Sequence, residues 1–231
     1  GYNLEGILKP NVQWFFEKMN SCEVELKAKV DELAKDYPWV RDVEIPHQIS
    51  NNITLSTMHG CPPDEIEKIG MYLINERGLH TVIKLNPTLL GPDKVRGILN
   101  QTLGYKTPIP DQAFEHDLMY SDALKIIANL QNAAIDRGVF FGLKLTNTLE
   151  SNNFKNVFGS DQQQMYMSGR ALHPLAVNLA AKIRSDFPNI DISFSAGADC
   201  FNVPDLLSCN LSPITVSSDL LKPGGYGRLL Q

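Results

Sequence analysis

Three short runs in this chain place small residues where a backbone can come close to an anion. They are Ser168-Gly169-Arg170-Ala171-Leu172-His173-Pro174, the apolar run Ile190 to Phe194 continuing into Ser195-Ala196-Gly197, and Pro213 to Ser218. Without bulky side chains in the way, backbone N–H groups can approach a phosphate, and a helix N-terminus adds partial positive charge. A Ser-Gly pair alone is an ordinary loop and helix start. Three such features in this order match the phosphate end of a (β/α)8 barrel, where chemistry gathers at the C-terminal ends of the strands.

That rule selects a short set of polar groups. His59 and Cys61 follow the first clear strand, and Lys84 and Asn86 end the second. Lys144, Thr146 and Asn147 end the third, followed by Ser195 to Asp199 and Ser217 to Asp219. A lysine inside an apolar run is costly to bury without an anionic or electron-rich partner. Lys84 could meet that need with a structural salt bridge. For Lys144, the polar positions that follow it point to a site. His59-Gly60-Cys61-Pro62-Pro63 is a tight turn into a helix, where a thiol near the N-terminus could have a lowered pKa. A structural cysteine in a stiff turn is the alternative.

The elements that must position these groups alternate. Five runs read as buried strands: Ile53 to Met58, Thr81 to Asn86, Val139 to Thr146, Ile190 to Ser195, and Ile214 to Ser217. Between them lie helical patterns. Pro62-Pro63-Asp64 opens one that Gly78 closes; Ser121 is a candidate N-cap for Ala123 to Arg137, ended by Gly138; Leu172 to Phe187 is stopped by Pro188. The segment from Asn11 to Tyr37 reads as helical ahead of the first strand. Alternation of this kind predicts an α/β fold with a parallel sheet, a barrel rather than a bundle.

Composition narrows the function classes. With 231 residues, 43% of them apolar, the chain can bury a large core. A net charge of −5 without a basic block argues against nucleic acid as a partner. No run of about 18 or more apolar residues predicts a membrane span, and no leader pattern opens the chain. Cys22, Cys61, Cys200 and Cys209 are scattered without a C-x-x-C pair. This predicts a reduced, cytoplasmic protein with no iron–sulfur or zinc ligand set of its own. The five histidines show no H-x-x-x-H spacing, and no G-x-x-x-x-G-K loop is present, so neither a catalytic metal nor an ATPase is expected.

Several strings resemble the flavin-linked TIM (β/α)8-type barrel of the dihydroorotate and dihydropyrimidine dehydrogenases. Tyr2-Asn-Leu-Glu-Gly-Ile7 and Leu33-Ala-Lys-Asp-Tyr-Pro38 are similar to that family's Asn-Ile-Glu-Leu-Ile and Leu-Lys-x-Asp-Phe-Pro. Phe141-Gly-Leu-Lys-Leu-Thr-Asn147 is similar to its Lys-Leu-Thr-Pro-Asn strand, whose lysine contacts the flavin. Met167-Ser-Gly-Arg-Ala-Leu-His-Pro174 is similar to its phosphate loop, and Ser195-Ala-Gly-Ala-Asp199 occupies the place of its Thr-Gly-Gly-Ile loop.

Closer still is the resemblance to the selenate reductase-type, YgfK-like subunits. It is carried by Thr57-Met-His-Gly-Cys-Pro-Pro63, Asn86-Pro-Thr-Leu-Leu-Gly91 and Lys222-Pro-Gly-Gly-Tyr226, and it covers essentially the whole chain. It implies an excised segment of a large multidomain redox protein whose FAD module and iron–sulfur clusters lie outside this chain. It also implies other redox domains or subunits as partners.

Three departures stand against a simple transfer of function. The pyrimidine-reducing relatives end a strand in Asn-Leu-Ser-Cys-Pro, and their cysteine protonates substrate. Here the run is Asn86-Pro87-Thr88-Leu89, and a leucine donates no proton. The Gly-Gly phosphate turn is Gly197-Ala198, whose β-carbon could crowd a phosphate. Only twenty residues separate Asn147 from Ser168. A βα unit with its return strand needs about thirty, so one unit is expected to be trimmed or replaced by a loop such as Glu150 to Gln164.

Three functions follow. In the first, the barrel holds FMN. Lys144 then lies at the ring and Ser168, Gly169, Gly197 and Ser217 at the phosphate; Asn86 and Asn147, also cofactor-binding candidates, face a small-molecule substrate with the catalytic candidates His59 and Cys61. In the second, a degenerate barrel without flavin serves as a scaffold that docks partner subunits. In the third, the phosphate site takes a phosphorylated metabolite, with Lys144 as a Schiff-base or electrostatic group.

Overall fold

Proline, glycine and apolar spacing set the observed elements. The computed structural model describes residues 3–57, 59–159 and 161–230; Tyr2 and Met58, quoted above, lie outside them. The chain forms two compact units, one ending at Ile53 and one beginning at Thr54.

In the first unit, α1 (Leu4–Ile7) is capped by the Asn3 side chain, which accepts from the Gly6 amide at 2.9 Å. Pro10 opens α2 (Pro10–Asn20), where a missing N–H costs nothing. The single helical segment expected from Asn11 to Tyr37 is two helices. The chain turns extended at Ser21, and α3 (Glu23–Leu33) starts afresh. Cys22 marks the break, its amide and thiol both donating to the His47 carbonyl, at 2.9 and 3.1 Å.

The second unit is the α/β body. Strands β1 (Asn52–Ser56, which crosses the boundary between units), β2 (His80–Leu85), β3 (Phe141–Leu145), β6 (Ile192–Phe194) and β7 (Leu211–Ile214) form one sheet in the order β1-β2-β3-β6-β7. The β2–β3, β3–β6 and β6–β7 pairings are parallel. Helices occupy each connection: α4 (Pro63–Met71), then α5 (Pro92–Arg96), α6 (Gln112–Glu115) and α7 (Tyr120–Arg137), then α8 (His173–Asp186) and α9 (Val203–Ser208). This is a partial (β/α) barrel. Strand β7 begins three residues earlier than the apolar run suggested. Pairing nonetheless continues past its end, since the Thr215 amide donates to the Phe194 carbonyl at 2.8 Å.

Period-two burial decides which side chains face the helices. Ile83, Leu85, Leu143, Leu145, Ile192 and Phe194 enter one core with Ile66, Leu130 and Leu179. The alternate residues Lys84, Lys144 and Ser193 therefore share the opposite face. Two local expectations need correction. Ser121 lies inside α7 rather than capping it, because Met119 takes the extended N-cap conformation, while Gly138 closes the helix in the left-handed region as its type suggests. The segment Glu150 to Gln164 is not a plain loop. It lies within an antiparallel hairpin, β4 (Leu149–Asn152) with β5 (Gln164–Met167), in the place of a βα unit.

Candidate functional site

The C-terminal ends of β1, β2 and β3 are tied by a polar network whose centre is Asp117. This carboxylate, its side chain 1% exposed, stands in the segment between α6 and α7. It accepts from Thr88 Oγ1 at 2.7 Å and Asn86 Nδ2 at 3.1 Å. His59 Nδ1 lies 2.9 and 3.0 Å from its two oxygens. Asn147 continues the chain of contacts. Its amide donates to Asn86 Oδ1 at 2.8 Å and to the Thr57 carbonyl at 2.9 Å, and its oxygen accepts from Ser56 Oγ at 2.8 Å. Three residues chosen from sequence, His59, Asn86 and Asn147, thus meet in one cluster.

The hydrogen bond to Asp117 raises the His59 pKa. Burial opposes it, while the charges of Asp117 and Glu150 reinforce it. The hairpin covers this corner: the Tyr166 ring lies 5.7 Å from the His59 ring. Among the described residues, two buried side-chain polar atoms lack a hydrogen-bond partner, His59 Nε2 and Thr146 Oγ1, and both follow the ends of site strands. Such orphans are uncommon, because desolvation without a partner is costly.

Lys84 and Lys144 are register partners on β2 and β3. Lys144 Nζ donates to Thr215 Oγ1 at 3.1 Å. No carboxylate of the described residues pairs with either ammonium, so the salt bridge considered for Lys84 does not form. Burial, and then the neighbouring Lys144 charge, lower the Lys84 pKa. Two cations side by side on the face opposite the helices suit an anionic or electron-rich group.

A second cluster forms where the three small-residue runs converge. Ser168 and Gly169 lead through a 3-10 turn into α8, and Gly169 has φ +70°. A β-carbon there would lie 3.0 Å from Ser218 Oγ. Gly197, with φ +67°, packs against the backbone of Gly169 and Arg170. The amides of Gly197 and Ala198 donate to no backbone carbonyl among the described residues. The Ala198 side chain belongs to the hydrophobic core, so its methyl does not crowd this cradle as the sequence suggested. Arg170 pairs with the buried Asp199. Amides that donate to no described backbone carbonyl, beside two close-packed glycines, fit a phosphate, and the two lysines fit an electron-rich ring, so these residues are compatible with FMN. A cleft of about 370 Å³ reaches Ser168 beside the hairpin.

Cys61 differs from its expectation. Burial, then the charges of Glu65 and Asp64, raise its thiol pKa rather than lowering it. These carboxylates occupy the first turn of α4. Leu89 is 2% exposed and lies in the core. Ser217 is exposed, and it is Ser218 that approaches Gly169. Sequence reasoning missed Asp117, which lies 58 positions from His59 with no motif around it. Among the described residues no helix is long and apolar enough to cross a membrane, and no group of three or more His, Cys, Asp or Glu is placed to hold a metal.

Residues 1–231 match the family model described as "Oxidoreductase YgfK, N-terminal TIM-barrel domain". Two curated relatives, from Escherichia coli strain K12 and from Escherichia coli O157:H7, each bear the name "Putative oxidoreductase YgfK". Each is 40% identical over 250 residues, covering 99% of this chain and 24% of the relative. The chain therefore spans about a quarter of the length of these relatives.

Proposed function

The chain belongs to the family of oxidoreductase YgfK N-terminal TIM-barrel domains, and we propose that it is the FMN-holding barrel of a multidomain redox enzyme acting on a small molecule. The observation that carries this reading is the close packing of Gly169, Gly197 and Ser218, beside amides that donate to no described backbone carbonyl, on the same unit as the Lys84–Lys144 pair. FMN would supply hydride and electron transfer. Backbone amides of the Gly197 turn, with Ser168 and Gly169, hold the phosphate. Lys144 places positive charge beside the ring and Lys84 reinforces it, while Asn86 and Asn147 fix the strand ends through their shared hydrogen bonds.

This chain works as one barrel-like domain within a longer cytoplasmic protein, and its electrons come from FAD and iron–sulfur modules elsewhere in that protein or its partners. Its extent, about a quarter of its relatives, supports that arrangement. A second reading, a scaffold without flavin, is favoured by the burial of Leu89, which leaves that run with no acid for the site. Titration of full-length protein with FMN, followed by quenching of flavin fluorescence, separates the two. Tight binding, weakened at least tenfold by Lys144→Ala, supports the flavin reading. Absence of quenching leaves the scaffold.

A further inference from the structure

We propose that the cleft between the Pro87–Leu90 turn, the start of α7 and α8 is a binding site for a small monocarboxylate with a compact apolar body, its carboxylate paired with Lys182. The cleft shares no lining residue with the Lys84–Lys144 pair or the Gly169–Gly197 cluster, so its occupancy does not depend on flavin.

Pro87 opens the 3-10 turn, Gly91 follows it with φ +85°, and Pro92 starts α5. Leu89 and Pro92, on this course, meet Phe114, Leu118 and Met119 around a volume of about 290 Å³. Walls of this kind admit an apolar body, since an apolar cavity of about 150 Å³ already takes benzene. One ring or one branched chain therefore fits, with room for a head group.

Lys182 supplies the charge. It lies three residues after the buried Leu179, so α8 carries it along the edge of its apolar stripe. Asp186 follows one turn later, the spacing at which a lysine and a carboxylate ordinarily pair. That carboxylate is engaged elsewhere, because Tyr120 Oη donates to it at 2.7 Å. Burial, and then Asp186, raise the Tyr120 pKa, so the phenol keeps the proton it donates. Lys182 Nζ instead donates to the Leu89 carbonyl at 3.0 Å and lies 3.7 Å from the centre of the Tyr120 ring. Both partners are neutral. Burial lowers the Lys182 pKa, and the Asp186 charge opposes this only in part.

The same contacts select the head group. Of the hydroxyls in the lining, Thr88 spends its proton on Asp117 and Tyr120 spends its own on Asp186. Lys182, with three N–H donors and one acceptor supplied by the fold, is left to bind an anion. One cation among apolar walls suits a carboxylate better than a phosphate, whose further oxygens would lack donors. Glu115, the carboxylate of the lining, is exposed and its charge is met by water.

Competitive acetylation of amines on full-length protein, read by peptide mass spectrometry, tests the site without any need for flavin. Phenylacetate at about ten times its half-protecting concentration should slow Lys182 modification about tenfold. Lys125, exposed on α7, serves as the reference and should not change. Phenylacetamide lacks the charge, acetate lacks the apolar body, and inorganic phosphate has the wrong head group, so each should protect Lys182 far less. No protection by phenylacetate, or equal protection by any of these three, overturns the proposal. Equal protection of Lys125 does so too. Tyr120→Phe keeps the ring and frees Asp186 to pair with Lys182. It should raise the half-protecting concentration about two- to fivefold, and an unchanged value overturns the diversion of Asp186.

Discussion

A β-carbon on Gly197 would stand 2.5 Å from the Cα of Arg170. Two loops that are far apart in sequence therefore close against each other backbone to backbone. The contact holds the Ser168–Gly169 turn beside the amides proposed to meet a phosphate.

Gly197→Ala should accordingly be expensive. Gly60 is a useful comparison, with φ +78° and open space where its β-carbon would go. Gly60→Ala should cost about 1–2 kcal/mol from backbone conformation alone. Gly197→Ala adds a clash with backbone, for about 2–5 kcal/mol in all. Urea unfolding midpoints compare the two, and equal losses would show that the loop contact does not matter.

The lysine pair makes an electrostatic prediction. Burial contributes most to the lowered Lys84 pKa, and Lys144 adds to it. Lys144→Met should therefore raise the Lys84 titration midpoint part of the way toward that of a free lysine. Competitive amine labelling against pH reads this site by site. No movement would mean that the two ammonium groups do not sense each other.

Cys61 should be a slow thiol. With its pKa raised, it carries less thiolate near neutrality than an ordinary cysteine. At pH 7.5, iodoacetamide should label exposed Cys209 before Cys61, and Glu65→Gln should speed Cys61. Faster labelling of Cys61 than Cys209 would return it to candidacy as a catalytic thiol.

Asp219 gives the clearest pH dependence. It accepts from Arg228 Nε at 2.9 Å and Lys222 Nζ at 2.7 Å, and these contacts, Arg228 first, hold its pKa down at about 2. A depressed carboxylate contributes stability above its unfolded pKa, about 3.9, and loses it as pH falls through the folded value. The stability gap between the unmodified protein and Asp219→Asn should be full at pH 7 and shrink progressively below about pH 4. Denaturant titrations across that range check it, and a gap that widens in acid would reverse the assignment.

The sheet was legible in the sequence because buried parallel strands favour short runs rich in β-branched and apolar residues, as in Thr81-Val-Ile83. Boundaries were less so. Ser121 has the chemistry of a cap, but the extended backbone at Met119 starts the helix two residues earlier. The shortened interval before Ser168 signalled that a βα unit was missing, whereas the hairpin replacing it depends on a pairing, such as Leu149 with Met167, that no local pattern announces.

At the site, residues on strand ends were legible and their partners were not. Asn86, Asn147 and His59 follow from the barrel rule. Asp117 is reached only through tertiary folding, in a segment whose neighbours carry no motif. Cys61 shows the opposite error. Its place before α4 suggested a lowered pKa, but burial and two acidic residues in that first turn set the sign.

The visible absorption spectrum of freshly purified full-length protein, with mass analysis of any chromophore released on denaturation, tests the central claim most directly. The account predicts flavin bands and release of FMN, with the FMN lost or depleted in Lys144→Ala and Gly197→Ala. A colourless protein that takes up no added FMN would contradict it.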